Sequence, residues 1–244
     1  RYFQAGDSAC VVHVAGVNVG ITICEDIWEP EPIASARAAG AQLLINLNAS
    51  PFHRGKPQER QAMVAERAQT NNLPVVYVNQ VGGQDELVFD GGSFAVNRDG
   101  SVAASAVEFE EALCWLEIDG ADVGPVTIRE GVRTHARDDV AAVWQALVLG
   151  VRDYVNKNGF PGVVLGLSGG IDSAVTLAVA VDALGAERVN AVMMPFRYTA
   201  SISIEDAQAQ AVAMGVAYRS ISIESLYESF TEALAEEFQG LAPN

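Results

Sequence analysis

Lysine occurs only twice in 244 residues, as Lys56 and Lys157, and 15 Lys plus Arg face 31 Asp plus Glu. With a formal net charge of −16, the surface repels phosphate backbones and anionic lipid, so neither nucleic acid nor a membrane is expected as a partner. The deficit of bases is even along the chain: residues 1–119 hold 16 acids and 7 bases, residues 120–244 hold 15 and 8. That excludes an acidic tail. Three cysteines, Cys10, Cys24 and Cys114, form no CxxC pair; their odd number fits a reducing compartment, and a cytoplasmic location is expected. The three histidines, His13, His53 and His135, lie far apart without ligand spacing, so no zinc site is expected. No apolar run is long enough to cross a bilayer, and no signal peptide opens the chain. What the sequence does have is apolar residues, half of the total. That is enough for one large core or two modest ones, which excludes a disordered or fibrous protein.

Short apolar runs alternate with helical patterns. Residues 17–24, 43–47, 74–79, 93–97 and 113–118 read as strands, and residues 57–71 as a helix with Pro57 in its first turn. Asn97-Arg98-Asp99-Gly100 has the turn chemistry of a hairpin. Residues 120–137 lose periodicity and gather three glycines and a proline, which predicts a linker. A helix follows over 138–157, opened by Asp138-Asp139 where the dipole favours negative charge. The rhythm then becomes strand–helix: strands at 163–167, 189–193 and 218–221, with helices to about Leu184, near 205–214 and at the end. Strands separated by helices predict a mainly parallel sheet covered on both faces. Cys10 and Cys114 read as small buried hydrophobes, Trp28, Trp115 and Trp144 as core or interface residues, and Glu205 and Asp206 as helix-start acids capped by Ser203.

Ser168-Gly169-Gly170-Ile171-Asp172-Ser173 joins a buried strand to a helix. Glycines there let the backbone approach a ligand, the helix start offers unpaired N–H groups to an anion, and the two serines add donors. Asp172 reaches phosphate best through a bridging Mg²⁺. The spacing matches neither a Walker loop nor a Rossmann fingerprint, and the plain alternative is an ordinary glycine-rich turn. The complete SGGxDS pattern resembles the PP-loop ATP pyrophosphatase family, which implies ATP at Gly166, Leu167, Ser168, Gly169, Gly170, Ile171, Asp172 and Ser173, with Asp172 a ligand of Mg²⁺.

Cys24 ends a strand and precedes Glu25-Asp26-Ile27-Trp28. A thiol at such an elbow is held exposed, with backbone N–H groups nearby for an oxyanion. The stretch Gly20–Trp28 resembles the nitrilase superfamily, in particular the glutaminase domain of glutamine-dependent NAD synthetases. Further matching segments follow in order: 1–6, 48–56, 79–85, 89–93, 147–160, the SGGIDS loop and 194–198.

The resemblance covers nearly the whole chain. It implies an α/β fold: the C-terminal part of an αββα nitrilase-type sandwich over 1–119, the linker 120–137, and the N-terminal part of a doubly wound, parallel-sheet PP-loop domain over 138–244. It also implies that Cys24 is the nucleophile and that Ser50 and Lys56 contact glutamine. The small-molecule substrates would be glutamine, deamido-NAD and ATP, and a homo-oligomer is expected. The family's general-base glutamate and its lysine would precede Arg1, so a fragment with little glutaminase turnover of its own is expected; Glu25 is not promoted to the base. Arg197 and Tyr198 read equally as nucleotide neighbours or plain strand-end residues. Two other readings stay open: a nitrilase-type amidase feeding a different ATP-dependent synthetase, and a non-catalytic fragment.

Overall fold

A computed structural model describes residues 6, 8–120, 124–134 and 137–240. The chain divides into two compact units, Arg1–Gly150 and Val151–Asn244. Among the described residues no helix is long and apolar enough to cross a membrane.

The first unit is built on a six-stranded sheet, ordered β1-β2-β3-β4-β7-β8. Its strands are β1 (Cys10–Val14), β2 (Val17–Ile23), β3 (Leu43–Asn48), β4 (Val75–Asn79), β7 (Phe94–Val96) and β8 (Val102–Ser105). The central three are parallel, with Ile23 beside Leu47 and Asn48 beside Asn79. Helices α1 (Pro30–Ala38) and α2 (Lys56–Asn71) make the crossovers. Both crossovers step the same way across the sheet, which puts both helices on one face. There Ile27, Ile33, Val64, Ala68, Leu44, Val75, Tyr77 and Phe94 form a buried cluster. The opposite face buries Val17, Val19, Leu43 and Ala95 against Val126 and Ile128. Toward the carboxyl ends of the parallel strands that face carries exposed Ile23, Leu47 and Val78 in one row.

The hairpin at 97–100 forms as the sequence suggests, with Gly100 N–H donating to Asn97 O at 2.8 Å. Two short antiparallel strands, β5 (Val81–Gln84) and β6 (Leu87–Asp90), form a hairpin of their own. The run 113–118 does not form a strand. Only Ile118–Asp119 (β9) pairs, with Thr127–Ile128 (β10), and Leu113 and Trp115 are 81% and 85% exposed. The run is apolar enough for a strand, but it finds no ladder to join. Cys10 and Cys114 are exposed as well, so the expectation of buried thiols fails at both. Residues 124–134 are tied down: Asn97 bonds both the N–H and the carbonyl of Ile128, each at 2.9 Å, and Gln42 donates to Gly124 O at 2.7 Å.

Helix α3 (Asp139–Lys157) runs from the first unit into the second. The Asp138 carboxylate caps it, accepting from Val140 and Ala141 N–H at 3.0 and 2.9 Å. Its Ala146 and Leu149 pack on Phe109.

The second unit has a parallel sheet ordered β11-β12-β13, from β11 (Val163–Gly166), β12 (Val189–Met193) and β13 (Ala217–Ser220). Helices α4 (Ile171–Leu184) and α5 (Ser201–Met214) connect them, and α6 (Glu224–Ala233) follows. Both crossovers again move in one direction, so α4 and α5 share a face, on which Val189, Ala191, Leu177, Ala180 and Ala207 are buried. The other face carries Val164, 72% exposed, so among the described residues these crossovers cover one face rather than both. Helix α5 begins at Ser201, earlier than the pattern suggests. Ser203 therefore lies inside its first turn and is not its cap, and Glu205 and Asp206 fall in the second turn.

Candidate functional site

The first unit gathers its chemistry at the carboxyl ends of β2, β3 and β4, the usual edge for a ligand on parallel strands. Cys24 follows β2 directly, Ser50 lies two residues past β3, and Asn79 ends β4. In-register pairing makes these ends neighbours. Cys24 has φ +48°, a left-handed conformation that costs a residue with a Cβ on the order of 1 kcal/mol. It opens a short 3-10 turn, Cys24–Ile27, held by Ile23 N–H donating to Asp26 Oδ2 at 2.8 Å and Trp28 N–H donating to Glu25 O at 2.9 Å. Arg67 on α2 fixes the far end of the turn through Trp28 O at 2.7 Å. The thiol is half-buried.

Lys56, the first residue of α2, places its Nζ 3.9 Å from the centre of the Trp28 ring and 3.1 Å from Glu59 Oε2. The amine is thus steered to the segment that leaves Cys24. Ser50 is buried, with its N–H donating to Asn79 Oδ1 at 3.0 Å. Beneath lies Tyr77, fully buried and stacked on Phe94. Burial pushes its phenol above the ordinary value, with Cys24 and Asp90 adding to the rise and Arg60 and Ser50 opposing it. The Tyr77 hydroxyl has no hydrogen-bonding partner among the described residues; Ser50 sits near it without bonding geometry.

Arg60 and Asp90 are the residues that motif reading missed. They form an ion pair at 2.9 Å with side chains 2% and 1% exposed, and Arg60 also bonds Ser50 Oγ, Ser50 O and Pro51 O. Burial raises the Asp90 carboxyl above its ordinary value, against the lowering pull of Arg60. A signal was present: Arg60, Val64 and Ala68 are the buried residues of α2, spaced four apart, so helical periodicity alone places an arginine on the apolar face.

In the second unit the segment Leu167–Gly170 links β11 to α4. Leu167 is buried and its N–H donates to Val192 O at 2.9 Å. The two serines close the loop: Ser168 N–H donates to Ser173 Oγ at 3.1 Å, the hydroxyls stand 3.0 Å apart, and Ser173 Oγ donates to Gly170 O at 2.9 Å. Gly170 N–H donates to Ser168 Oγ at 3.2 Å. Gly169 has φ +81° and lies against the backbone of Ser203 in α5, so it must be glycine. Gly166 closes β11, while Ile171 and Asp172 are exposed in the first turn of α4. Arg197 turns to α6 instead, pairing with Glu224 and Glu228. Thus Cys24 and Ser50 come together at neighbouring strand ends and Lys56 reaches the turn that follows the thiol. Residues 166–173 form a continuous loop, and segment 1–6 lies largely outside the described residues.

Residues 1–127 match the carbon-nitrogen hydrolase family and residues 143–244 the NAD synthase family. Glutamine-dependent NAD(+) synthetases from Acinetobacter baylyi and Xylella fastidiosa are each 45% identical over all of this chain, which covers 44% and 45% of their lengths. The solved structure of the glutamine-dependent NAD+ synthetase from Acinetobacter baumannii, in complex with ADP, superposes with a TM-score of 0.93 at 44% identity, covering 100% of this chain and 46% of that one. The chain thus spans about half the length of the relatives it matches. The chain belongs to the carbon-nitrogen hydrolase family, whose model matches more than half of it, and the region that follows is similar to NAD synthase.

Proposed function

We propose that the chain carries the thiol half-site and the ATP loop of a glutamine-dependent NAD synthetase, with residues 1–119 serving glutamine hydrolysis, 138–244 serving ATP, and 120–137 between them. The carrying observation is the combination, on one chain, of a left-handed cysteine at a strand end and a glycine-rich strand-to-helix loop closed by two serines. Cys24 Sγ attacks the side-chain amide carbon of glutamine. The C–N bond breaks, ammonia leaves, and water hydrolyses the thioester to glutamate. Ser50 and Lys56 hold the amino acid, and Lys56 stays within reach through its seat on Trp28.

At the loop, the N–H groups of the first turn of α4, from Ile171 to Ser173, and the hydroxyls of Ser168 and Ser173 bind ATP phosphates. The nicotinate carboxylate of deamido-NAD attacks the α-phosphorus, pyrophosphate leaves, and ammonia displaces AMP to give NAD. The fit to Mg²⁺ is good, since this ion takes one or two carboxylates together with substrate phosphates and Asp172 stands exposed at the head of the loop. Bound there, Mg²⁺ would offset phosphate charge.

Two measurements test the reading. Calorimetry with ATP and Mg²⁺ should show one site, lost when the loop is altered. Alkylation of Cys24 should slow in glutamine. No nucleotide binding, or alkylation indifferent to glutamine, refutes the corresponding half. ATP-dependent amidation of a different acid would favour the amidase feeding another synthetase.

A further inference from the structure

The 3-10 turn that Cys24 opens ends on two carbonyls, Ile27 O and Trp28 O, at a place where the last acceptors of any helix lack partners. The chain that follows is poor in donors. Glu29 is extended, with φ −93° and ψ +144°, as the residue before a proline prefers, and neither Pro30 nor Pro32 has an N–H to offer. One side chain on α2 takes both acceptors: Arg67 Nε donates to Ile27 O at 3.3 Å and Nη2 to Trp28 O at 2.7 Å. The planar fork of a guanidinium suits two neighbouring carbonyls better than an ammonium does. Arg67 is 16% exposed, whereas its ion-pair partner Glu66, at 3.6 Å, is 70% exposed. A pair of that kind contributes little, so the turn is what Arg67 serves. At the other end, Ile23 belongs to β2 and its N–H donates to Asp26 Oδ2 at 2.8 Å. Cys24, at φ +48°, is thus caught between an end fixed by the sheet and an end fixed by Arg67. A residue with a Cβ stays left-handed only while its surroundings hold it there.

We propose that Arg67 is the positioning residue of the Cys24 thiol: by holding Ile27 O and Trp28 O it keeps the elbow left-handed, and without it the backbone at Cys24 relaxes and carries the thiol away from its attacking position. This rests on the reading of Cys24 as the nucleophile. Arg67 acts through the backbone of the turn.

Two comparisons test it. The first reads the strain itself. Trp28, Trp115 and Trp144, the three tryptophans, all belong to the first unit, so their fluorescence follows its urea unfolding. With Arg67 in place, Cys24→Gly should have a higher urea midpoint than Cys24→Ala, because glycine occupies φ +48° without penalty. In an Arg67→Gln background that advantage should vanish or reverse, since a relaxed elbow no longer needs a left-handed residue and glycine then adds only its greater ordering entropy. A merely structural arginine would lower every midpoint and leave the difference untouched. An equal glycine advantage in both backgrounds, or none in either, overturns the proposal.

The second comparison reads the thiol. In the chain carrying Cys10→Ser and Cys114→Ser, iodoacetamide alkylation of Cys24 is followed with rising glutamine, which yields a protection constant. Arg67→Gln should weaken protection by about fivefold, as the strain released makes the competent elbow a minority conformer. Arg67→Lys, which can still donate to Trp28 O, should recover part of that loss. Val96→Ala, a core truncation on β7, three strands along the sheet from β2, should lower the urea midpoint yet keep the protection. Arg67→Gln protected as well as the parent, or Val96→Ala protected as poorly as Arg67→Gln, overturns the proposal. A parent that glutamine does not protect refutes the reading of Cys24, and Arg67's part in the reaction with it, while the urea comparison still decides whether Arg67 holds the elbow. Should Arg67→Gln fail to unfold cooperatively, Arg67→Lys takes its place in both comparisons.

Discussion

Gly169→Ala is the sharpest test of the proposed phosphate loop. The backbone at Gly169 sits at φ +81°, and a Cβ there would stand 2.8 Å from both the carbonyl carbon and the Cα of Ser203, with its oxygen closer still. The left-handed conformation costs an alanine about 1 kcal/mol. Relieving the overlap requires the loop or the start of α5 to move, which for overpacking against backbone costs about 1–3 kcal/mol more. Gly170 is the built-in control. Its φ is −87°, and the nearest atom to an added Cβ is Ser168 Oγ at 3.3 Å, a side chain able to give way, so Gly170→Ala should cost less than about 1 kcal/mol. Hydrogen exchange at the amides of α4 and α5 reads the local opening free energy of this unit. Calorimetry with ATP and Mg²⁺ reads the loop. Gly169→Ala should lower the opening free energy by about 2–4 kcal/mol, the sum of these two costs, and weaken nucleotide binding at least tenfold. Equal effects of the two substitutions, or a stable Gly169→Ala variant with unchanged affinity, would refute the close approach on which the argument rests.

Other outcomes follow from the same geometry. Cys24→Gly should be at least as stable to urea as Cys24→Ala, because only glycine occupies φ +48° without penalty; a clearly weaker glycine variant contradicts the strained elbow. Asp90→Ala should cost about 3–5 kcal/mol in urea unfolding, and Arg60→Gln/Asp90→Asn markedly less, since the single change strands a buried guanidinium. Equal losses would mean the charge pair is not what holds the segment. Asp172→Ala should weaken ATP binding in Mg²⁺ while changing Mg²⁺-free binding little; calorimetry showing the same Mg²⁺ dependence as the parent removes Asp172 from the metal.

Much of this architecture is legible in the sequence, and the exceptions share a cause. Strand β12 has the predicted bounds, Val189–Met193, because a bounded apolar run between two helical patterns has one sensible reading. The run 113–118 looks similar in composition yet leaves Leu113 and Trp115 exposed, since a strand needs a neighbour and composition does not supply one. Within the site, Cys24, Ser50 and the SGGIDS loop are visible as local motifs. Arg60 is not: its meaning depends on Asp90, thirty residues away and on another element, so only the fold joins them. The tie between residues 124–134 and the rest of the first unit is hidden for the same reason, since Asn97 and Ile128 lie 31 residues apart in the sequence.

The register of the three parallel strands has a kinetic consequence. Cys24, Ser50 and Asn79 come from successive strands that cannot pair through tight turns, only after each helical crossover has closed. Such contacts form late, because loop-closure entropy is lost before pairing returns it. A one-residue slip of β3 would turn Asn46 and Asn48 away from the helices and bring Leu47 inward. The hydrophobic sorting of that strand therefore also proofreads the site, and a chain that has not yet seated β4 offers a bare thiol with no Asn79 to hold the segment beside it.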